Sequence, residues 1–450
     1  MGSICDDLPS ALGLTGIGPV KPRVFVDAFL QQHPEIDYVR FQWVDYSGIL
    51  RARVATMDYF QSTVTNNAPL RCGQITLSCL PDESRVPFEA SSAHLLYPDW
   101  SSLRALSNCM NKDGPYYASV MCSIIEEKPG VISNPNLCPR IALKNVMARG
   151  KLECQLDFLI GFEIEFVVLQ STPDGALIPF SSHPGTYSAA GLRAPSYKYL
   201  EECVRNLSNS GIPVREFHVE GNVGQYEITL AARPPLEAVD DLVTAHDIIR
   251  CTFASHGYTA TMSPKPVENR SANGSHVHVS IHPPRKQEAF LAGMLQRLSA
   301  ICAFSMPSIS SYRRCGDFQA GTKVSWGTQN RQTPIRKLGD GYWEIRCADA
   351  TANMYLAVAS ILGAGLLGNR NDEPLHWEDM SLASRSLAAG EELPRSINDS
   401  LGSLEAISDE FGEVLSSKVG LRYLHVKRNE ALALEGLEPY ALAQLLSKVY

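Results

Sequence analysis

The sequence predicts an α+β protein: a small β-rich N-terminal part, then a larger part in which strands and helices mix around a mostly antiparallel sheet. Three observations carry this. Residues 38–54 (YVRFQWVDYSGILRARV) alternate as two strands joined at Asp45-Tyr46-Ser47-Gly48, a hairpin signal. Residues 126–139 (EEKPGVISNPNLCP) are polar and rich in turn-formers, and read as a linker. From residue 158 onward, strand-like and helix-like stretches are interspersed.

In chain order, strand-like pieces continue after the hairpin to about residue 125, completing the β-rich part. Residues 140–151 are helical in pattern. Strands are expected over 161–169, 223–231, 276–282 and 342–347, and helices over 198–210, 236–256, 287–304 and 350–367. The tail, 396–450, reads as helical throughout. The expected domains are 1–130 and 138–450, with no internal repeat or low-complexity tract.

Bulk properties narrow the function. The 450 residues hold two or three domains' worth of sequence, with ordinary apolar (44%) and charged (20%) fractions, so a sizeable core is expected. A net charge of -8 without a long basic run disfavours nucleic acid as a partner, though a few local arginines can still bind anions. The 12 cysteines include no Cys-x-x-Cys pair and fall singly in apolar segments, which reads as reduced, buried thiols. No apolar run is long enough for a membrane helix and the first residues lack a basic signal region, so a cytoplasmic protein is expected.

Four segments place charged or imidazole groups inside otherwise apolar strands. In Gly161-Phe162-Glu163-Ile164-Glu165-Phe166, alternation puts Glu163 and Glu165 on one face. Glu220 and Glu227 flank a Gly-containing turn in HVEGNVGQYEI. In NGSHVHVS, His276, His278 and Ser280 share a face opposite Val277 and Val279. In Tyr342-Trp343-Glu344-Ile345-Arg346, Glu344 and Arg346 share a face. Taken alone, each also reads as a solvated face, a surface pair or a hydrogen-bonded strand histidine. Together they put five glutamates and two histidines on polar strand faces of one domain. If those faces converge, like charge demands cations. An oxygen-rich set with one imidazole and no thiolate suits Mg²⁺ or Mn²⁺.

Arginines supply the other half. Arg313, Arg314, Arg331 and Arg336 fall within about two dozen residues, and Arg346 follows. Guanidinium forks bind phosphate and carboxylate bidentately, and Arg331 with Arg336 reads as an anion clamp, or else as a solvated basic stretch. Neither a Walker A loop nor a Rossmann glycine fingerprint is present, so a bound nucleotide would be held by other means.

These segments, in this order, resemble the glutamine synthetase family, its bacterial-type branch most closely. The likeness runs from about residue 138 to the end. It covers Glu163-x-Glu165, Glu220 with Gly224-Gln225-Tyr226-Glu227, Asn273-Gly274-Ser275 through His278, Tyr312-x-Arg314, and Asn330-Arg331 through Arg336. Glu344-Ile345-Arg346 with Asp349-Ala350-Thr351-Ala352-Asn353, and Leu393-Pro394-Arg395-Ser396, complete it. The resemblance implies a small N-terminal β-grasp domain and a catalytic domain with a curved antiparallel sheet. It implies ATP and two or more Mg²⁺ or Mn²⁺ ions, one held by Glu165, Glu220 and Glu227, the other by Glu163, His278 and Glu344. Arg331 and Arg336 would contact ATP phosphate, Arg331 and Arg314 acting in catalysis. Asn273, Gly274, Arg314 and Arg346 would grip the acid substrate, glutamate in the family. A homo-oligomeric ring would follow, as would an acyl phosphate made from ATP and then aminolysed.

Three departures stand out. The zone where the family carries an acid for ammonium is here Arg71-Cys72-Gly73-Gln74-Ile75. The flap position six residues after Arg314 holds Ala320, with Asp317 and Gln319 out of register; a shifted loop could use Asp317. Tyr342 stands where the family often has an arginine near the nucleotide. An ammonium site needs negative charge, so the expectation is a ligase joining glutamate, or a related acid, to an organic amine. The rivals are a true glutamine synthetase using ammonia and a non-catalytic ring protein of the same fold.

Overall fold

The structure is a computed structural model of the chain and describes residues 22–86, 93–107, 114–128, 131–133, 136–180, 185–267, 272–316, 319–381 and 390–450. After helix α1 (Pro22–Gln32), the expected hairpin forms as β1 (Ile36–Val44) and β2 (Leu50–Thr56). Helix α2 (Met57–Asn66) follows, then β3 (Leu70–Cys72), β4 (Ala93–Pro98), β5 (Arg104–Ala105), β6 (Tyr116–Lys128) and β7 (Val131–Ser133). These strands form one sheet in the order β2-β1-β6-β4-β3, with β5 and β7 also paired to β6. The segment expected to be a linker is a correction: its first half is strand, because β6 runs on to Lys128 and β7 pairs back onto it, Glu126 opposite Ser133.

Helix α3 (Pro139–Cys154) leads into β8 (Asp157–Ser171), the spine of a second, nine-stranded sheet. Its other strands are β9 (Leu177–Pro179), β10 (Val214–Val219), β11 (Gln225–Leu230), β12 (Thr259–Thr261), β13 (Ser275–His282), β14 (Trp326–Thr328), β15 (Ile335–Gly339) and β16 (Tyr342–Ile345). The order is β10-β11-β8-β13-β16-β15-β14, and every pairing except β14 with β15 is antiparallel. The sheet curls into a half-barrel.

One face of this sheet is the core. Phe162, Ile164, Phe166, Ile228, Val277, Val279, Trp343 and Ile345 are buried on it. Helices α4 (Tyr197–Asn209), α5 (Pro235–Ala254), α6 (Gln287–Gln296), α7 (Leu298–Ser305) and α8 (Met354–Asn371) supply further buried side chains to the same hydrophobic cluster. The single helix expected over 287–304 is two. The chain breaks at Arg297, whose guanidinium is held by Glu373 at 2.7 and 2.8 Å and by Glu410. Helix α8 starts at Met354, later than expected, because Asn353 caps it by accepting from the Leu356 N–H. The helical tail is likewise divided: α9 (Ile397–Ala406), α10 (Ser408–Leu415), α11 (Ser417–Glu435) and α12 (Pro439–Val449).

The β1–β2 turn locks the two sheets together. Asp45, fully buried, accepts from the Ile49 N–H (2.9 Å) and Arg51 Nε (2.7 Å), and its carbonyl takes the Asn353 amide (2.8 Å). Gly48 sits at φ +82° with Thr351 O only 2.4 Å from where a Cβ would be, so no other residue fits the contact. From the far end of the chain, the Tyr450 hydroxyl donates to the Ser47 carbonyl at 2.5 Å.

His94, on β4, is buried, with Nδ1 2.8 Å from Thr76 Oγ1 and Nε2 without a partner. Burial, with Arg422 nearby, pushes its pKa down to about 4 from 6.5. An unfolded chain therefore binds this proton first on acidification, so stability is lost as pH falls from about 6.5 toward 4, by roughly 3 kcal/mol at the lower limit. Melting temperatures measured across that window should fall more steeply for the native chain than for His94→Gln; equal slopes would show that His94 is not the group responsible.

Candidate active site

Strand register composes the inner face of the half-barrel. His218 on β10 lies opposite Glu227 on β11, which lies opposite Glu165 on β8. Glu163 lies opposite His276 on β13. His278 lies opposite Glu344 on β16, which lies opposite Arg336 on β15. Alternation along each strand sends all these side chains to the face opposite the core.

The centre is a carboxylate held between two imidazoles. Glu163 Oε2 lies 2.9 Å from His276 Nδ1, and Oε1 lies 2.9 Å from His278 Nε2. Burial would raise the Glu163 carboxyl, but these hydrogen bonds outweigh it and hold it far below the usual range. His278 Nδ1 bonds the Tyr342 hydroxyl at 2.8 Å, which fixes the ring. Glu344, 1% exposed, has Arg336 Nη1 at 2.9 Å, an ion pair to Arg346, and His276 Nδ1 at 3.3 Å. There too burial works against ionisation, and His276 and Arg346 overcome it and lower the carboxyl.

Two groups bring three ligand atoms within 4.8 Å of one another: Glu163, His278 and Glu344, and His218, Glu220 and Glu227. The first is the set expected from the sequence. In the second His218 stands where Glu165 was expected. His218 Nε2 is 3.3 Å from Glu227 Oε1 and Nδ1 3.5 Å from Glu220 Oε2. Glu165 stays beside the group, spending Oε2 on the Gly274 N–H at 2.8 Å. Burial raises the Glu220 carboxyl, and the charges of Glu165 and Glu227 raise it further. Its Oε2 and His218 Nδ1 are buried without hydrogen-bond partners. Crowded carboxylates with orphaned donor atoms and an imidazole fit a hard divalent cation taking oxygen and nitrogen ligands. The signal for His218 was its position two residues before Glu220, on the same strand face.

The arginines divide. Arg314 is buried, with Nη2 on the Arg346 carbonyl at 2.8 Å and Nη1 without a partner. Arg346 Nε and Arg336 Nε are also buried and unpartnered. Such donors are suited to an anion. Arg336 is further tied to Gln329 Oε1 at 2.9 Å. Arg331 is exposed; its charge is felt by Tyr187, whose ring lies 4.9 Å from that of His218. The Asn273 side chain is used in scaffolding: Nδ2 donates to the carbonyls of Thr261 (3.2 Å) and Ser263 (2.9 Å), and Oδ1 accepts from Gln225 (3.0 Å). Gly274 is confined, since a Cβ there would lie 2.6 Å from His276 Nε2 and 2.8 Å from Arg314 Nη2. Ala320 is buried at φ +63°, and Asp317 lies outside the described residues.

An antiparallel half-barrel whose inner face gathers two carboxylate–imidazole groups beside buried arginines defines a class of α+β protein built around a charged catalytic-type centre. The family follows from comparison. The glutamine synthetase catalytic domain matches residues 136–438, and the chain belongs to the glutamine synthetase family. It is 32% identical over 464 residues to protein fluG of Emericella nidulans, covering 98% of this chain and 52% of fluG, so it spans about half the length of that relative. It is 28% identical over 344 residues to gamma-glutamylpolyamine synthetase GlnA3 of Streptomyces coelicolor, covering 68% of this chain and 72% of GlnA3. Its fold is shared with a crystal structure of a glutamine synthase homolog (TM-score 0.79, 23% identity, 92% of this chain and 99% of that one). It is also shared with GmaS bound to ADP (TM-score 0.78, 22% identity, 92% and 97%). Among the described residues no helix is long and apolar enough to cross a membrane.

Replacing Arg346 by Met removes one of the guanidinium partners of a buried carboxylate. A loss of roughly 3 kcal/mol is expected, because the charge of Glu344 is left undercompensated. Adding Glu344→Gln to that variant should recover most of it. A double variant no more stable than Arg346→Met would show that the pair is not coupled.

Proposed function

We propose that this chain is an ATP-dependent carboxylate–amine ligase that joins the γ-carboxylate of glutamate to an organic amine through an acyl phosphate. The observation that carries it is the pairing, on one sheet face, of two cation-suited carboxylate–imidazole groups with buried arginine donors that have no partner. Bound divalent ions would supply positive charge against the ATP phosphates. Glu163, His278 and Glu344 would hold one ion, and Glu220 and Glu227, with His218 and Glu165 beside them, the other. Arg314 and Arg346 would bind and orient the acid. Arg336, and Arg331 from its exposed position, would balance charge spreading over the transferred phosphoryl group. The carboxylate oxygen attacks the γ-phosphorus and ADP leaves; the amine nitrogen then attacks the acyl carbon and phosphate leaves.

An organic amine is favoured over ammonium because the flap position holds buried Ala320 and the strand end at Cys72 is followed by Gly73, leaving no acid at either place. The name of the GlnA3 relative points the same way. We further propose that the chain acts as two domains, the first running through β7, which pairs into the N-terminal sheet, and the second spanning 138–450, and that chains assemble into a ring; Leu421, Leu432 and Tyr440, exposed on α11 and α12, are suited to such contacts.

The full chain, given ATP, Mg²⁺, glutamate and a panel of amines that includes ammonium and polyamines, should form amide and ADP in equal amounts. At least one organic amine should exceed ammonium about tenfold in kcat/KM. Ammonium as the best amine by a wide margin would overturn the amine assignment, and no ADP with any amine would overturn the ligase. Glu163→Gln and Glu344→Gln should each lower kcat on the order of 100-fold or more. Both should also lose the rise in melting temperature that Mn²⁺ with ADP gives the native chain.

A further inference from the structure

The two nitrogens of His278 face different partners, and the pair sets a condition on how a cation enters. Tyr342 stands opposite Ser280 on β13, and Glu344, two residues on, stands opposite His278. Alternation puts Tyr342 and Glu344 on one face, so the phenol reaches diagonally to the imidazole, with ring centroids 5.7 Å apart. Its hydroxyl lies 2.8 Å from Nδ1, while Glu163 Oε1 lies 2.9 Å from Nε2. Both ring nitrogens are thereby engaged.

A neutral imidazole has one N–H and one lone pair. Glu163 is held ionised and only accepts, so without a cation the N–H is on Nε2 and Nδ1 accepts from the tyrosine hydroxyl. A cation gathered by Glu163, His278 and Glu344 needs the lone pair of Nε2 instead. The N–H must then be on Nδ1, and whatever faces Nδ1 must accept it. A hydroxyl serves both cases: it donates to one tautomer and, by rotating its hydrogen, accepts from the other. A guanidinium or an ammonium in its place could only donate, and would hold the ring in the tautomer that turns the cation away. We propose that Tyr342 is a positioning residue whose hydroxyl, by changing from donor to acceptor, lets His278 pass between tautomers and so opens this one of the two groups to a divalent cation. No proton is gained or lost overall: one leaves Nε2 for solvent and one reaches Nδ1. The proposal rests on the cation reading of that group and adds a condition to it. The other group does not share the condition, since His218 Nδ1 has no hydrogen-bond partner.

Two variants of the full chain test this. Tyr342→Phe keeps the ring and removes the hydroxyl; Tyr342→Arg supplies donors without an acceptor. Mn²⁺ titrated into the native chain, with the free ion followed by electron paramagnetic resonance, should fill both groups. In Tyr342→Phe one site should weaken about 10–100-fold, the range for losing the partner of a ligating histidine, and the other should change by less than about threefold. Tyr342→Arg should weaken the same site at least as much. Coupling of imidazole nitrogen to bound Mn²⁺, read by electron spin-echo modulation, should come from two histidines in the native chain and from one in Tyr342→Arg. Native affinity at both sites in either variant, coupling from both histidines in Tyr342→Arg, or a native chain that fills only one site would overturn the proposal. Tyr342 is half-buried, so loss of its oxygen alone is tolerated, and Tyr342→Phe decides the matter if Tyr342→Arg does not fold. None of these readouts needs turnover. Absence of ADP with every amine would defeat the ligase reading, while a selective loss of one Mn²⁺ site in Tyr342→Phe would still uphold Tyr342.

Discussion

Five carboxylates on one side of a curved sheet are the constraint on which the rest of the molecule depends. Left alone, Glu163, Glu165, Glu220, Glu227 and Glu344 would drive neighbouring strands apart or take up protons. Two different solutions operate side by side. Around Glu163 and Glu344, histidines and arginines keep the carboxyls ionised despite burial. Around Glu220 compensation is incomplete: its carboxyl is raised and one oxygen is unsatisfied. The first half of the centre is stable as it stands, and the second keeps an unmet demand for positive charge. Such an imbalance is what a protein needs if cations and a triphosphate are to be recruited rather than excluded.

The supporting framework follows from that centre. Apolar side chains lie behind the polar inner face, and helices α5 to α8 add buried side chains to the same core. The N-terminal sheet is tied to the segment that carries Glu344, at the end of β16, and Arg346, just beyond it, through a short route. Asp349 to Asn353 follow directly, and Gly48 and Asp45 of the hairpin turn rest on Thr351 and Asn353.

Much of this was legible in the sequence, and the limits are physical. Alternation alone placed Glu163 and Glu165 together, and His278 with Ser280, because strand geometry has a fixed period. The hairpin at Asp45–Gly48 was readable because turn chemistry is local. Family resemblance assigned Glu220 and Glu227 to one ligand set and Glu344 to another, and in the structure they fall in two separate carboxylate–imidazole groups. What remained hidden depends on cross-strand register, which a single strand does not encode. His276 became central only when β13 aligned it with Glu163, and His218 only when β10 aligned it with Glu227. The break at Arg297 was invisible for a related reason: the acids that hold it, Glu373 and Glu410, lie 76 and 113 residues away. Short strands such as β9, β12 and β14 carry too few residues to show a period.

The pairing of β8 with β13 joins two demands that other proteins keep apart. Were those strands to slide by one residue, Phe162 and Val277 would turn toward the cleft, and Glu163 and His276 would be driven into oil. A misassembled molecule would thus be unable to fold stably and unable to react, in a single error. The register that makes the core is therefore the same register that makes the centre.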